Sequence, residues 1–333
     1  MIRLNARFAG VLTLVALSLP VIGAAQQQDV PAAPTPDAST AAPTAPAPVA
    51  PPVLPKPDPA NFTAASPTKE TVSAFLQTSW GYDDNRLWQV QAIEKTQVEG
   101  LSKVVILVAD KTGKQKTGML QFYVFPDGKH AIAGDEILPF GEHPYADTRA
   151  QLQQRADGPY RGAAVKDLEM VEFADFQCPH CKEAQANMDK LAVDFPKARI
   201  VFENYPLPQH SAAAQAAAYG VCVAKQGGST AFFTFASAVF EGQDGLATPD
   251  GATLTLNSAV TKAGLEPAKI GACAATPEAI ANVEASKKLA LDLNINQTPM
   301  LIVNGRLITI GGIPYDTLKR IVDFQAKQDG IAQ

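Results

Sequence analysis

Cysteine is scarce in this sequence, with four residues in 333, and all four lie in the C-terminal half. None lies near the N-terminus, which argues against a bacterial lipoprotein. Basic blocks are missing too. Lys and Arg total 28 against 33 Asp and Glu, a formal net charge of -5, and the basic residues are dispersed. That pattern excludes nucleic acid and an anionic membrane surface as electrostatic partners. The acidic balance says little beyond solubility. After the N-terminus no run is long and apolar enough for a bilayer span, which takes about 20 residues. The length sets a soft expectation of about two domains, and the 46% apolar content is ordinary for a globular chain.

The N-terminus carries the first positive signal. Arg3 and Arg7 precede an apolar run over 8–19, followed by Pro20 and small residues up to Ala25. A basic region, a short apolar core and small residues read as a secretory signal, residues 1–25, cleaved near Ala25. An uncleaved membrane anchor is the alternative, although the run is short for a span. Residues 26–66 are dominated by Pro, Ala, Thr and Ser, a composition that cannot bury a core and reads as a semi-rigid tether. Export would permit disulfides.

Residues 67–160 read as a small α+β domain without cysteine. A helix starts at Pro67-Thr68-Lys69-Glu70, with Val72, Phe75 and Leu76 on one stripe. Four strands are expected over 87–98, 103–109, 118–125 and 130–138, then a polar helix over 146–155. His130 and His143 are isolated there and read as solvated or structural. From 161 to 333 the pattern changes. Residues 168–174 form a nearly continuous apolar strand of the kind covered on both faces. A helix follows from Pro179, then a strand over 199–203 and an alanine-rich helical stretch within 207–293. Runs over 300–303 and 306–310 flank Asn304-Gly305, a strong hairpin signal, and Pro314 opens a last helix. The order gives an α/β chain: a thioredoxin fold with an inserted helical domain, preceded by the small α+β domain.

The chemistry centres on Cys178-Pro179-His180-Cys181. Pro179 suits the first helical position, so Cys178 falls at the helix N-cap, where free N–H groups and the helix dipole stabilise a thiolate. His180 can add positive charge beside it. Cys181 lies on the stripe Cys181, Ala184, Met188, Leu191, Phe195, which faces the core. Cys178 is thus expected to be the exposed attacking sulfur and Cys181 the shielded resolving one, the asymmetry that disulfide exchange needs. Two alternatives stand beside this. A zinc site would need a second pair, and Cys222 and Cys273 are single, so no metal is expected. An inert structural disulfide fits poorly with an exposed helix start.

The segment from Glu172 to Cys181, Glu-Phe-Ala-Asp-Phe-Gln-Cys-Pro-His-Cys, resembles the active site of the DsbA-like thioredoxin-fold oxidoreductases. The segment from Thr298 to Gly305, Thr-Pro-Met-Leu-Ile-Val-Asn-Gly, resembles that family's cis-proline loop and hairpin. The resemblance covers about 165 to the C-terminus. It implies that Pro299 is the cis-proline beside a redox-active Cys178–Cys181 disulfide, with no other cofactor, and that Thr298 pairs with an extended substrate segment. It implies that Glu172 is an acid beneath the disulfide that handles the resolving thiol's proton; a satisfied structural carboxylate is the alternative. It implies a structural disulfide between Cys222 and Cys273, against two buried free thiols. His210, after Tyr205-Pro206-Leu207-Pro208, reads as structural. The segment from Phe125 to Gly134 resembles the dimerisation domain of DsbC-like isomerases, which implies a homodimer through the N-terminal domain. Those isomerases do not usually carry Pro-His between their cysteines, so the two signatures point in different directions of electron flow.

The expected function is a periplasmic dithiol oxidase acting on exported proteins through a mixed disulfide, recharged by a membrane redox partner. A disulfide isomerase or reductase, and a chaperone-like binding module, are the alternatives.

Overall fold

The computed structural model describes residues 52–113 and 116–331. The expected signal segment and most of the tether lie outside the described residues. Among the described residues, no helix is long and apolar enough to cross a membrane.

The first layer opens with a short 3-10 turn, Pro59–Asn61, and helix α1, Lys69–Trp80. Thr68 caps α1 by accepting from the Thr71 amide at 3.1 Å, and Val72, Phe75 and Leu76 are its buried stripe. Strands β1 (Arg86–Lys95), β2 (Ser102–Asp110), β3 (Gly118–Val124), β4 (His130–Ala133) and β5 (Glu136–Pro139) form an antiparallel sheet in that order. Val90, Val104, Ile106, Phe122 and Phe140 close the core with α1.

Three expectations need correction here. The single strand over 130–138 is a hairpin, because Gly134 at φ 64° turns the chain and pairs Ala133 with Glu136; the sheet therefore has five strands. The tether does not run to 66. Phe62 bridges to Ile93 and packs on the sheet core, and the amides of Thr63 and Ala64 both donate to the Ile93 carbonyl at 3.0 Å. Residues 146–160, expected in the first domain, belong to the second body. In helix α2, Ala146–Arg155, Leu152 is buried, and with Ala156 beyond it packs against Val171, Phe173 and Leu289. Strand β6, Tyr160–Gly162, pairs in the second sheet.

That sheet also holds β7 (Glu169–Ala174) and β8 (Arg199–Asn204), on either side of helix α3 (Pro179–Asp194). β7 and β8 run parallel, as a strand–helix–strand crossover requires. The insertion follows: α4 (Ala213–Glu241), a 3-10 turn Gln243–Ala247, α5 (Pro249–Lys262), α6 (Pro267–Ala274) and α7 (Pro277–Asp292). The chain then returns through β9 (Met300–Val303) and β10 (Arg306–Thr309) to α8, Tyr315–Gln328. The order is β10-β9-β7-β8-β6. Asn304 at φ 46° and Gly305 at φ 93° make the tight turn between β9 and β10.

Every residue of β7 is buried because both faces are covered. Met170 faces α3 and α8 through Met188, Leu191, Leu318 and Val322. Val171 and Phe173 face Leu152, Leu289 and Ala290. The insertion has its own core, in which Phe176 packs on Phe202, Phe235 and Phe240 with ring centroids 5.3–5.7 Å apart. Phe176 lies two residues before Cys178, so this aromatic cluster anchors the loop that delivers the dithiol. Arg306 ties the two bodies together: its guanidinium donates to the carbonyls of Thr78 and Ser79 at the end of α1 and to Gln325 in α8.

Candidate active site

The site stands where β7 hands over to α3. Cys178 is the N-cap of α3 in extended conformation, and Pro179 follows at the first turn. The Cys178 carbonyl accepts from the amides of Cys181 at 3.1 Å and Lys182 at 3.3 Å, so its side chain sits over the open N–H groups of the helix start. Both cysteines are free thiols. A hydrogen bond from the Cys181 thiol is the largest influence on Cys178 and holds it down at about 5; burial opposes this, and smaller contributions come from Thr298 and the amides of Cys181 and His180. Burial pushes the Cys181 thiol far above its ordinary range, with the neighbouring Cys178 adding to the effect. One sulfur is a thiolate at neutral pH and the other holds its proton.

The expectation that Cys178 is exposed is corrected. Its relative exposure is 5%, against 0% for Cys181. The reason is the loop before β9. The Thr298–Pro299 peptide bond is cis, and the Thr298 carbonyl lies 3.7 Å from the Cys178 sulfur. Gly311 closes in beside it: a Cβ there would stand 3.7 Å from Pro299 Cδ and 3.8 Å from His180 Cβ. Any group that reacts with the Cys178 sulfur must reach it across this narrow mouth. The Thr298 hydroxyl is buried without a hydrogen-bond partner.

His180 sits at the rim with 67% of its side chain exposed, and Nδ1 lies 3.0 Å from Glu183. That contact raises its pKa, and the Cys178 charge adds to the rise. Both influences favour the protonated form of the ring. Glu172 is buried on β7 and accepts from Gln185 Nε2 at 2.7 Å; the same amide nitrogen donates to the Cys181 carbonyl at 3.2 Å. Burial pushes the Glu172 carboxyl up to about 7. Glu172 therefore reaches Cys181 through Gln185 and the backbone, not by direct contact with its sulfur.

Cys222 and Cys273 are joined in a disulfide between α4 and α6. Gln243 also supports the site. From the insertion it donates to the carbonyls of Phe176 at 2.8 Å and Cys178 at 2.9 Å. Gln177 answers by donating to the Leu246 carbonyl at 3.2 Å and accepting from the Ala212 amide at 2.8 Å. A glutamine 65 positions from the cysteine it supports leaves no local signal. His210 lies beyond the same loop, with Nδ1 2.7 Å from Asp175.

The family model described as Thioredoxin matches residues 155–324, about half of the chain. Among solved structures, a thioredoxin-like oxidoreductase from Silicibacter pomeroyi DSS-3 is 26% identical, covering 54% of this chain and 98% of that one, with a TM-score of 0.46. A periplasmic thioredoxin-like protein from Salmonella enterica serovar Typhimurium is 21% identical, covering 54% and 96%, at 0.44. The thiol-disulfide exchange protein alpha-DsbA2 from Wolbachia pipientis is 22% identical, covering 53% and 95%, at 0.46. A curated Na(+)/H(+) antiporter NhaA 3 from Salinispora tropica is 37% identical over 68 residues, which span 20% of this chain and only 10% of the antiporter.

Proposed function

The chain belongs to the thioredoxin family, and on that premise we propose that it is a thiol–disulfide oxidoreductase, an exported dithiol oxidase acting on protein thiols. The observation that carries the direction is the split between its two sulfurs. Cys178 is held at about 5 while Cys181 is pushed well above its ordinary range. A stabilised thiolate favours the reduced form, so the disulfide gives up its place to substrate thiols. In the proposed cycle a substrate thiolate attacks Cys178 of the Cys178–Cys181 disulfide and displaces the Cys181 sulfur. The second substrate thiolate then attacks its own sulfur in the mixed disulfide and releases Cys178 as the thiolate. Two electrons pass to the protein, and a membrane redox partner accepts them later. Thr298 and Pro299 form the edge on which an extended substrate lies; the displaced Cys181 sulfur takes up a proton released by the substrate thiols, and Gln185 holds Glu172 to the Cys181 backbone. The leader over residues 1–25 supports a periplasmic location.

The test is the equilibrium of the Cys178–Cys181 pair against glutathione. An oxidase is expected well above about -200 mV, towards the roughly -120 mV of a strong oxidant. A value near -270 mV, where thioredoxin lies, makes the protein a reductase and overturns the direction. An isomerase is the second reading. It is favoured by one observation, the apolar exposure of Met119, Leu120 and Ile137 on the N-terminal sheet, which suits a homodimer with two catalytic domains on one cleft.

A further inference from the structure

Asp175 is a charged residue buried to 1% exposure, immediately after β7 and three positions before the nucleophile. Each of its polar groups ends on a different part of the site. Its amide donates to the Cys181 sulfur at 3.4 Å. Its carbonyl accepts from the Cys178 amide at 3.1 Å. Its carboxylate accepts from the amides of Gln177 at 2.7 Å and Leu207 at 2.8 Å. His210 Nδ1 completes the set at 2.7 Å. A buried carboxylate is tolerated only when donors surround it, and here the donors come from two chain segments, the dithiol loop and the strap that leads into the helical insertion. His210 keeps 21% of its side chain exposed, so packing alone does not explain its place.

We propose that Asp175 and His210 form a positioning pair for the dithiol: His210 fixes the Asp175 carboxylate, and Asp175 in turn fixes the amide aimed at the Cys181 sulfur. This rests on the oxidoreductase reading and adds to it. The Cys181 sulfur is the atom that changes between the two redox states. In the dithiol it is a thiol that accepts from the Asp175 amide; in the disulfide it is bonded to Cys178, and two electrons and the one proton that Cys181 held have left. A group that acts on one state more than the other moves the equilibrium, whereas a group that merely packs supports both alike.

The experiment uses the full mature chain, equilibrated with reduced and oxidised glutathione, with the Cys178 thiolate titrated by absorbance in parallel. One protein disulfide and two glutathione thiols give the dithiol and one glutathione disulfide. His210→Ala is expected to shift the equilibrium constant about tenfold, the scale of losing one hydrogen bond to a buried charge. His210→Asn, whose amide nitrogen can stand in for Nδ1 as the donor, is expected to restore the constant to within about twofold of the parent. Asp175→Asn is expected to shift it at least as far as His210→Ala; if that variant does not fold, the two His210 variants decide. An active parent with an unshifted His210→Ala overturns the positioning role alone. A parent that does not exchange with glutathione overturns the oxidoreductase reading itself.

Discussion

At the scale of residues, the two sulfurs are chemically unlike because of where they sit, not because of what they are. Cys178 lies at a helix start and Cys181 one turn inside it. Cys178→Ser is expected to abolish exchange, and Cys181→Ser to accumulate mixed disulfides on non-reducing gels. The parent's thiolate absorbance is expected to titrate near 5; titration near 8.5, the value of a free cysteine, refutes the assignment. Glu172 gives a second prediction. Its carboxyl stands at about 7 when folded, against 4.5 for the ordinary side chain. The folded state therefore holds a proton that the unfolded state has released between those values, and stability falls as pH rises through that window. Glu172→Gln removes this fall. In the oxidised protein, the stability lost between pH 5 and pH 8 is expected to shrink by about 3 kcal/mol relative to the parent, read as denaturant midpoints. Glu203, also raised to about 7 by burial, keeps its own share of the slope. Cys178, Cys181 and their spacing were legible in the sequence because one helical turn joins them. Asp175 stood inside the recognised segment, yet its bonds to 207–210 depend on the fold and could not be read from its neighbours.

At the scale of elements, local pattern predicted most strands and helices, and it failed where one residue turns a run. Gly134 splits a strand into a hairpin, and Gly228, at φ 72° and ψ -173°, breaks the course of α4. Composition misled at Phe62, one aromatic among prolines and alanines, which was enough to dock the end of the tether on β1. The Cys222–Cys273 bond joins the two sides of the insertion across a separation of 51 residues. Loop closure on that scale contributes about 4 kcal/mol in the chain-entropy account. Replacing both cysteines by alanine is expected to lower stability by about 2–4 kcal/mol in guanidinium unfolding, with the glutathione equilibrium of Cys178–Cys181 unchanged. A shift in that equilibrium instead shows that the bond reaches the dithiol through α4.

At the scale of the whole molecule, the boundary between bodies was the least legible feature. Leu152 and Ala156 look like the end of a polar helix, and only the core they enter assigns them to the thioredoxin body. The N-terminal sheet is left with an open side. β4 pairs with β3 only at Tyr123 and Val124, so the stretch of β3 from Gly118 to Gln121 has no neighbour on that side among the described residues. Met119 and Leu120 stand 70% and 49% exposed there, with Ile137 nearby at 64%. Unpaired N–H and C=O groups beside apolar side chains are a template for strand pairing, and a two-fold partner presenting the same edge satisfies both at once. The mature chain is therefore expected to be a dimer at micromolar concentration by light scattering. Met119→Glu with Leu120→Lys is expected to make it monomeric while the thiolate titration of Cys178 stays where it was, since the dithiol lies in the other body. A parent that is already monomeric removes the dimer and, with it, the one observation that favours an isomerase over an oxidase.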